Sequence, residues 1–151
     1  AKVFNGTGRL SFAFSNHDVP RVATRQLKAL NVNPKDSDKM QILLLKLQIS
    51  LIGSTCIYQG EELGLHETIV DFDDIQDPFG RAFWPDFKGR DGCRTPMPWE
   101  KNQKNLGFTR STPWLKANEN YKNYAVDVQE NDPNSMLNLT RKLLMERKIA
   151  T

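Results

Sequence analysis

The stretch Leu10-Ser11-Phe12-Ala13-Phe14-Ser15-Asn16-His17-Asp18 alternates bulky with small side chains before it turns polar. Leu10, Phe12 and Phe14 share one face and Ser11, Ala13 and Ser15 the other, the period of two that marks a β-strand. In a closed parallel barrel the bulky face meets the outer helices and the small face points to the axis. His17, on the small-face parity, then emerges inward at the C-terminal end of the strand. Active sites of such barrels gather at that end.

Working outward, a polar segment containing Pro34 leads to Asp36 and Ser37, either of which suits a helix N-cap. Met40, Leu43, Leu44, Leu47 and Leu51 follow at helical spacing, with Ile42, Leu45 and Ile49 as a second stripe, so the spacing predicts a largely buried helix to about Ile52, stopped by Gly53. Thr55-Cys56-Ile57-Tyr58-Gln59 then reads as a second short strand ending at Gly60-Glu61-Glu62. Strand, helix, strand makes a βαβ unit with parallel strands and a right-handed crossover. From about Leu65 to Asn131 no periodicity holds, while Pro, Gly, Asp and aromatic residues accumulate. That composition predicts a long ordered loop over the barrel mouth. Asp132-Pro133 offers an N-cap and a proline at the first helical position of a last helix, with Met136, Leu137, Thr140, Leu143 and Leu144 on one face to about Lys148.

Composition narrows the functional classes. With 151 residues, 38% apolar and 26% charged, the chain has the size and make-up of one globular domain. Its charge of +3, from 21 basic and 18 acidic residues, is not gathered into a stripe that would hold a phosphate backbone, so no nucleic-acid partner is expected. The longest apolar run, Ile42 to Ile52, is broken by Lys46, Gln48 and Ser50 and falls short of the ~20 residues of a membrane span. Cys56 and Cys93 match neither zinc-ligand spacing nor a disulfide framework and read as two free thiols, which points to a cytoplasmic setting. No initiator Met is present, and strand-like sequence starts within about ten residues of Ala1, as in a piece cut from a longer chain.

Three segments carry the chemistry. Phe14-Ser15-Asn16-His17-Asp18-Val19-Pro20-Arg21 crowds polar groups at a strand end, where burial is costly unless each finds a partner. Tyr58-Gln59-Gly60-Glu61-Glu62-Leu63-Gly64 ends the next strand, and Gly89-Arg90-Asp91-Gly92-Cys93-Arg94-Thr95-Pro96-Met97-Pro98-Trp99 lies in the loop beyond. In this order they resemble the α-amylase superfamily of glycoside hydrolases, in particular its α-glucosidase and oligo-1,6-glucosidase branch.

The resemblance implies an α/β fold: the last two βα units of a (β/α)8 barrel of ~250 residues, with a long loop after the final strand. Residues 1–151 are then a partial catalytic barrel without its upstream strands or any C-terminal β domain. It further implies a retaining α-glucosidase that releases glucose from the non-reducing end of short oligosaccharides or disaccharides, without a cofactor or metal. Asp18 matches the second aspartate of that family, which holds the sugar in a transition-state-like shape. His17, Arg21, Arg90 and Arg94 match substrate-binding positions, while the nucleophile and the acid/base belong to the fourth and fifth strands, before Ala1. These residue types suit an oxocarbenium-like transition state: a fixed carboxylate stabilises its growing positive charge, and histidine and arginine donate to sugar hydroxyls.

Competing readings accompany several of these residues. Glu61 and Glu62 read as ion-pairing within the barrel in preference to a catalytic pair, because neighbours on a strand end point to opposite faces. Asp71, Asp73, Asp74 and Asp77 lack the Gly and distal Glu of a calcium loop and read as a solvated turn. Phe83, Trp84 and Trp99 are either sugar-stacking platforms or loop-core packing. At the level of function the rivals are a transglycosylating relative, such as a sucrose isomerase or trehalose synthase, and a non-catalytic barrel that serves as an interaction protein.

Overall fold

The computed structural model describes residues 10–150. Two short strands, β1 (Ser11–Phe12) and β2 (Ser54–Thr55), pair in parallel with Ser11 opposite Ser54 and Phe12 opposite Thr55. Between them run helices α1 (Val22–Ala29) and α2 (Ser37–Ser50). The expected strands to Ser15 and Gln59 are therefore truncated to two residues each, and helix dominates the described residues.

Helix α1 falls in the segment read as merely polar. Its sequence, Val-Ala-Thr-Arg-Gln-Leu-Lys-Ala, is short but sets Val22, Ala23 and Leu27 on one side and Arg25 and Lys28 on the other, it consists largely of good helix formers, and Val22 and Ala23 bury its first turn. Helix α2 starts where expected, but it buries Leu45 and Ile49 of the second stripe together with two glutamines, and not the first stripe. Gln41, Leu45, Gln48 and Ile49 are buried, whereas Leu43 and Leu47 are exposed. Polar partners decide this orientation: Gln48 Nε2 donates to the Cys56 carbonyl at 2.8 Å, and Gln41 Nε2 lies 2.7 Å from His66 Nε2. Gln48 thus fastens α2 to the chain that continues β2. Burial holds the His66 pKa below its ordinary value, which keeps the ring neutral as the partner of Gln41.

The segment after β2 is a series of single 3₁₀ turns and two short helices, α3 (Pro78–Ala82) and α4 (Val126–Glu130), before the last helix, α5 (Met136–Ala150). Leu63, Leu65, Leu106, Tyr121 and Leu137 form the main apolar cluster, which joins the turn beyond β2, this segment and α5. Gln129 crosses the cluster: Nε2 donates to the carbonyls of Leu63 and Tyr124, and Oε1 accepts the Leu137 amide. Helix α5 begins three residues later than Asp132-Pro133 suggested, because the Ser135 hydroxyl, accepting the Asn138 amide at 3.2 Å, serves the free helix donors instead.

Candidate active site

The site is assembled where the chain leaves β1. Ser15 turns inward and is 2% exposed; its hydroxyl donates to Glu61 Oε1 at 2.5 Å and accepts the Val22 amide at 2.8 Å. One serine therefore links the end of β1 to the turn after β2 and to the start of α1. Glu61 Oε2 also accepts the Tyr58 amide, and Glu62 Oε2 accepts the Gly60 amide. The contacts made by Glu61 and Glu62 are hydrogen bonds in place of the expected ion pairs. Burial raises the pKa of each.

Arg21 lies behind this junction, 1% exposed. Nη1 donates to the Gln59 carbonyl at 2.7 Å, Nη2 to the Cys93 carbonyl at 3.2 Å, and the guanidinium lies over the Tyr58 ring at 5.4 Å. Gly60, at φ 88°, permits that approach: a Cβ there would sit 2.9 Å from Arg21 Nη1. Although grouped with the substrate-binding candidates on sequence, Arg21 does not join them in space. Its two Nη donors reach main-chain carbonyls, its Nε is buried without a hydrogen-bond partner, and the side chain is closed off from solvent.

The other four candidates meet on an open face. Arg90 Nη1 and Arg94 Nη2 each reach Asp18 Oδ1 at 3.1 Å, across 72 and 76 residues of sequence. His17 Nε2 lies 3.3 Å from Asp18 Oδ2, and Arg94 Nε donates to the His17 carbonyl at 2.7 Å. The Asp18 and His17 side chains remain 53% and 68% exposed, so within this chain they form an open wall. An exposed ion pair contributes about 0–1 kcal/mol, too little for stability alone to account for gathering two arginines on one aspartate.

The sequence reading missed what supports this wall. Asp77 is not part of a solvated turn: it is 1% exposed, and its carboxylate holds Arg90 at both ends. Oδ2 accepts Arg90 Nε at 2.7 Å and the Arg90 amide at 2.9 Å, while Oδ1 accepts Arg90 Nη2 at 3.0 Å and the Phe79 amide at 3.2 Å. The guanidinium, together with these amide donors, outweighs the cost of burial and holds the Asp77 pKa well below the usual carboxylate range. The sequence signal was Asp77-Pro78, an N-cap before a proline at the first helical position. Asp91, fully buried, accepts the Gln76 and Asp77 amides through Oδ2 and so fixes the backbone that carries Asp77.

The aromatic residues of this segment are not buried in a core. Phe79, Phe83, Trp84 and Phe87 are all exposed, Phe79 lies parallel to Phe83 with ring centroids 6.4 Å apart, and Arg90 sits over Phe79 at 5.5 Å. Among the described residues no cluster of His, Cys, Asp or Glu is suited to hold a metal ion, and no helix is long and apolar enough to cross a membrane.

Comparison with known proteins gives the family. The family described as Alpha amylase, catalytic domain, matches residues 2–151. A probable alpha-glucosidase of Rhizobium meliloti (strain 1021) is 50% identical over 141 residues, covering 93% of this chain and 25% of that protein. An oligo-1,6-glucosidase of Parageobacillus thermoglucosidasius is 33% identical over 165 residues, covering 97% of this chain and 28% of that protein. Among solved structures, the alpha-glucosyl transfer enzyme XgtA superposes with a TM-score of 0.83 at 48% identity, over 93% of this chain and 25% of that one. An isomaltulose synthase mutant of Erwinia rhapontici NX5 in complex with sucrose follows at 0.78 and 33%, over 92% and 27%. The chain spans about a quarter of the length of these relatives. With the family matched from residue 2 to residue 151 and the same fold in structures of related sequence, this chain belongs to the α-amylase catalytic-domain family.

Proposed function

We propose that this chain forms the last two βα units, and the long loop after the final strand, of the (β/α)8 barrel of a retaining α-glucosidase. The observation that carries this reading is the meeting of His17, Arg90 and Arg94 around Asp18, from segments more than seventy residues apart. In this reading Asp18 stabilises the charge that develops at the anomeric carbon, and His17 and the two arginines orient the non-reducing glucosyl unit. Sugar hydroxyls would replace part of the contact that the arginines now make with Asp18. Arg21 acts as scaffold, holding the turn after β2 and the Cys93 loop to the end of β1. The nucleophile and the acid/base come from barrel strands outside this chain, and the cytoplasm is the proposed setting.

The test is turnover by the full-length protein. It should release glucose from maltose, isomaltose and an aryl α-glucoside, with the α-anomer formed first by NMR. A β-anomer first, or no turnover of any of the three, contradicts the reading. A second reading, glucosyl transfer to another sugar, is favoured by the likeness to XgtA and to an isomaltulose synthase. Formation of new glucosides in preference to free glucose at high substrate concentration would select it.

A further inference from the structure

Asp77 touches no open surface, yet most of its bonding capacity is directed at the site. Of the four donors on its carboxylate, three belong to Arg90, and the bond that caps α3 through Phe79 is the longest of the set. We propose that Asp77 is a positioning residue, which locks the Arg90 guanidinium in one plane so that its remaining edge faces Asp18 and a bound glucosyl unit. This inference rests on the glucosidase reading above.

Three features carry it. The first is geometric: Nε and Nη2 are both held by Asp77, so turning the fork breaks two charge-assisted hydrogen bonds, and Nη1 is left directed at Asp18 Oδ1. The second is electrostatic. Two guanidinium groups on one oxygen of Asp18 would oppose the negative charge that an oxocarbenium-like transition state needs. A buried carboxylate behind Arg90 compensates one of those cations and leaves Asp18 its charge. The third is the rigidity of the mount. The Asp77 amide is held by Asp91 Oδ2 at 2.8 Å, and the loop between Asp77 and Arg90 closes through Gly80 and Gly89, where a Cβ on Gly80 would lie 2.9 Å from Gly89 Cα.

The experiment is a double-mutant cycle in the full-length enzyme, with Asp77→Asn, Arg90→Ala and the pair assayed on an aryl α-glucoside. Asp77→Asn should lower kcat by about 10- to 100-fold, the scale of a misplaced catalytic contact, with a smaller change in KM. In the Arg90→Ala background the same substitution should change kcat by less than about twofold, because the group it acts through is gone. Equal proportional losses in both backgrounds, or a fall in Tm with kcat intact, would make Asp77 purely structural and overturn the role. If Asp77→Asn does not fold, Arg90→Lys carries the test. A point charge cannot hold both carboxylates in the same fork geometry, so kcat should fall about tenfold, and an unchanged kcat overturns the proposal. No turnover by the unsubstituted enzyme overturns the glucosidase reading and this role with it, whereas turnover with uncoupled losses overturns the role alone.

Discussion

Arg94 Nε donates to the His17 carbonyl at 2.7 Å, a bond that ties the loop beyond β2 to the chain leaving β1 across 77 residues. The same guanidinium reaches Asp18 Oδ1 through Nη2. One arginine therefore sets where the loop lies and also contacts the carboxylate at the centre of the site.

Arg94→Lys should separate these tasks. An ammonium can keep one of the two contacts but not the fork, so kcat/KM of the full-length enzyme on an aryl α-glucoside should fall about 10- to 100-fold. Steady-state kinetics at matched folded concentration checks this, and a value within about twofold of the unsubstituted enzyme contradicts it.

Arg21→Met should behave in the opposite way. It leaves the Gln59 carbonyl without its donor and the Cys93 carbonyl with the Tyr58 hydroxyl alone, at a cost of about 1–3 kcal/mol for the unpaired group. Thermal unfolding should shift down by a few °C. kcat per folded molecule at low temperature should stay within about threefold, and a selective rise in KM without loss of stability would return Arg21 to the substrate-binding set.

Acid should reveal the Asp77–Arg90 pair. Arg90 holds the folded-state pKa of Asp77 below its unfolded value of about 4, so the contribution is complete above that pH and is lost as pH falls through the folded pKa. The difference in Tm between the unsubstituted protein and Asp77→Asn should be constant from about pH 8 to pH 5 and should narrow below about pH 4. A difference that widens on acidification contradicts the pairing.

How much of this was legible in the sequence depends on the range of the interaction. The period of two at Leu10 to Ser15 located β1, although only Ser11–Phe12 finds a ladder partner, and the three motif segments led to the residues that meet at Asp18. Of the buried face of α2, Leu45 and Ile49 were legible as an apolar stripe, but Gln41 and Gln48 were not, because they are drawn in by His66 and by the Cys56 carbonyl, partners that helical periodicity does not contain. Asp77 was hidden for a related reason. In an acidic run it looks solvated, and only the return of the chain at Arg90, thirteen residues on, gives its carboxylate a cation. An Asp-Pro cap pattern occurs twice, at Asp132-Pro133, where α5 in fact starts after Ser135, and at Asp77-Pro78, where it caps α3.

The 151-residue chain on its own should neither turn over an aryl α-glucoside nor remain monomeric. Its two paired strands each leave an edge open among the described residues, and Ile52, Ile69 and Trp114 are exposed. Light scattering after size exclusion should show association, and a monodisperse monomer with cooperative unfolding contradicts this.

The central claim, that Asp18 stabilises the transition state, is tested most directly by the kinetics of Asp18→Asn in the full-length enzyme on an aryl α-glucoside. The substitution keeps size and removes charge, so kcat should fall by about 100-fold or more while KM changes only a few-fold, because the carboxylate matters most once positive charge has developed. An unchanged kcat would assign Asp18 to structure and contradict the account.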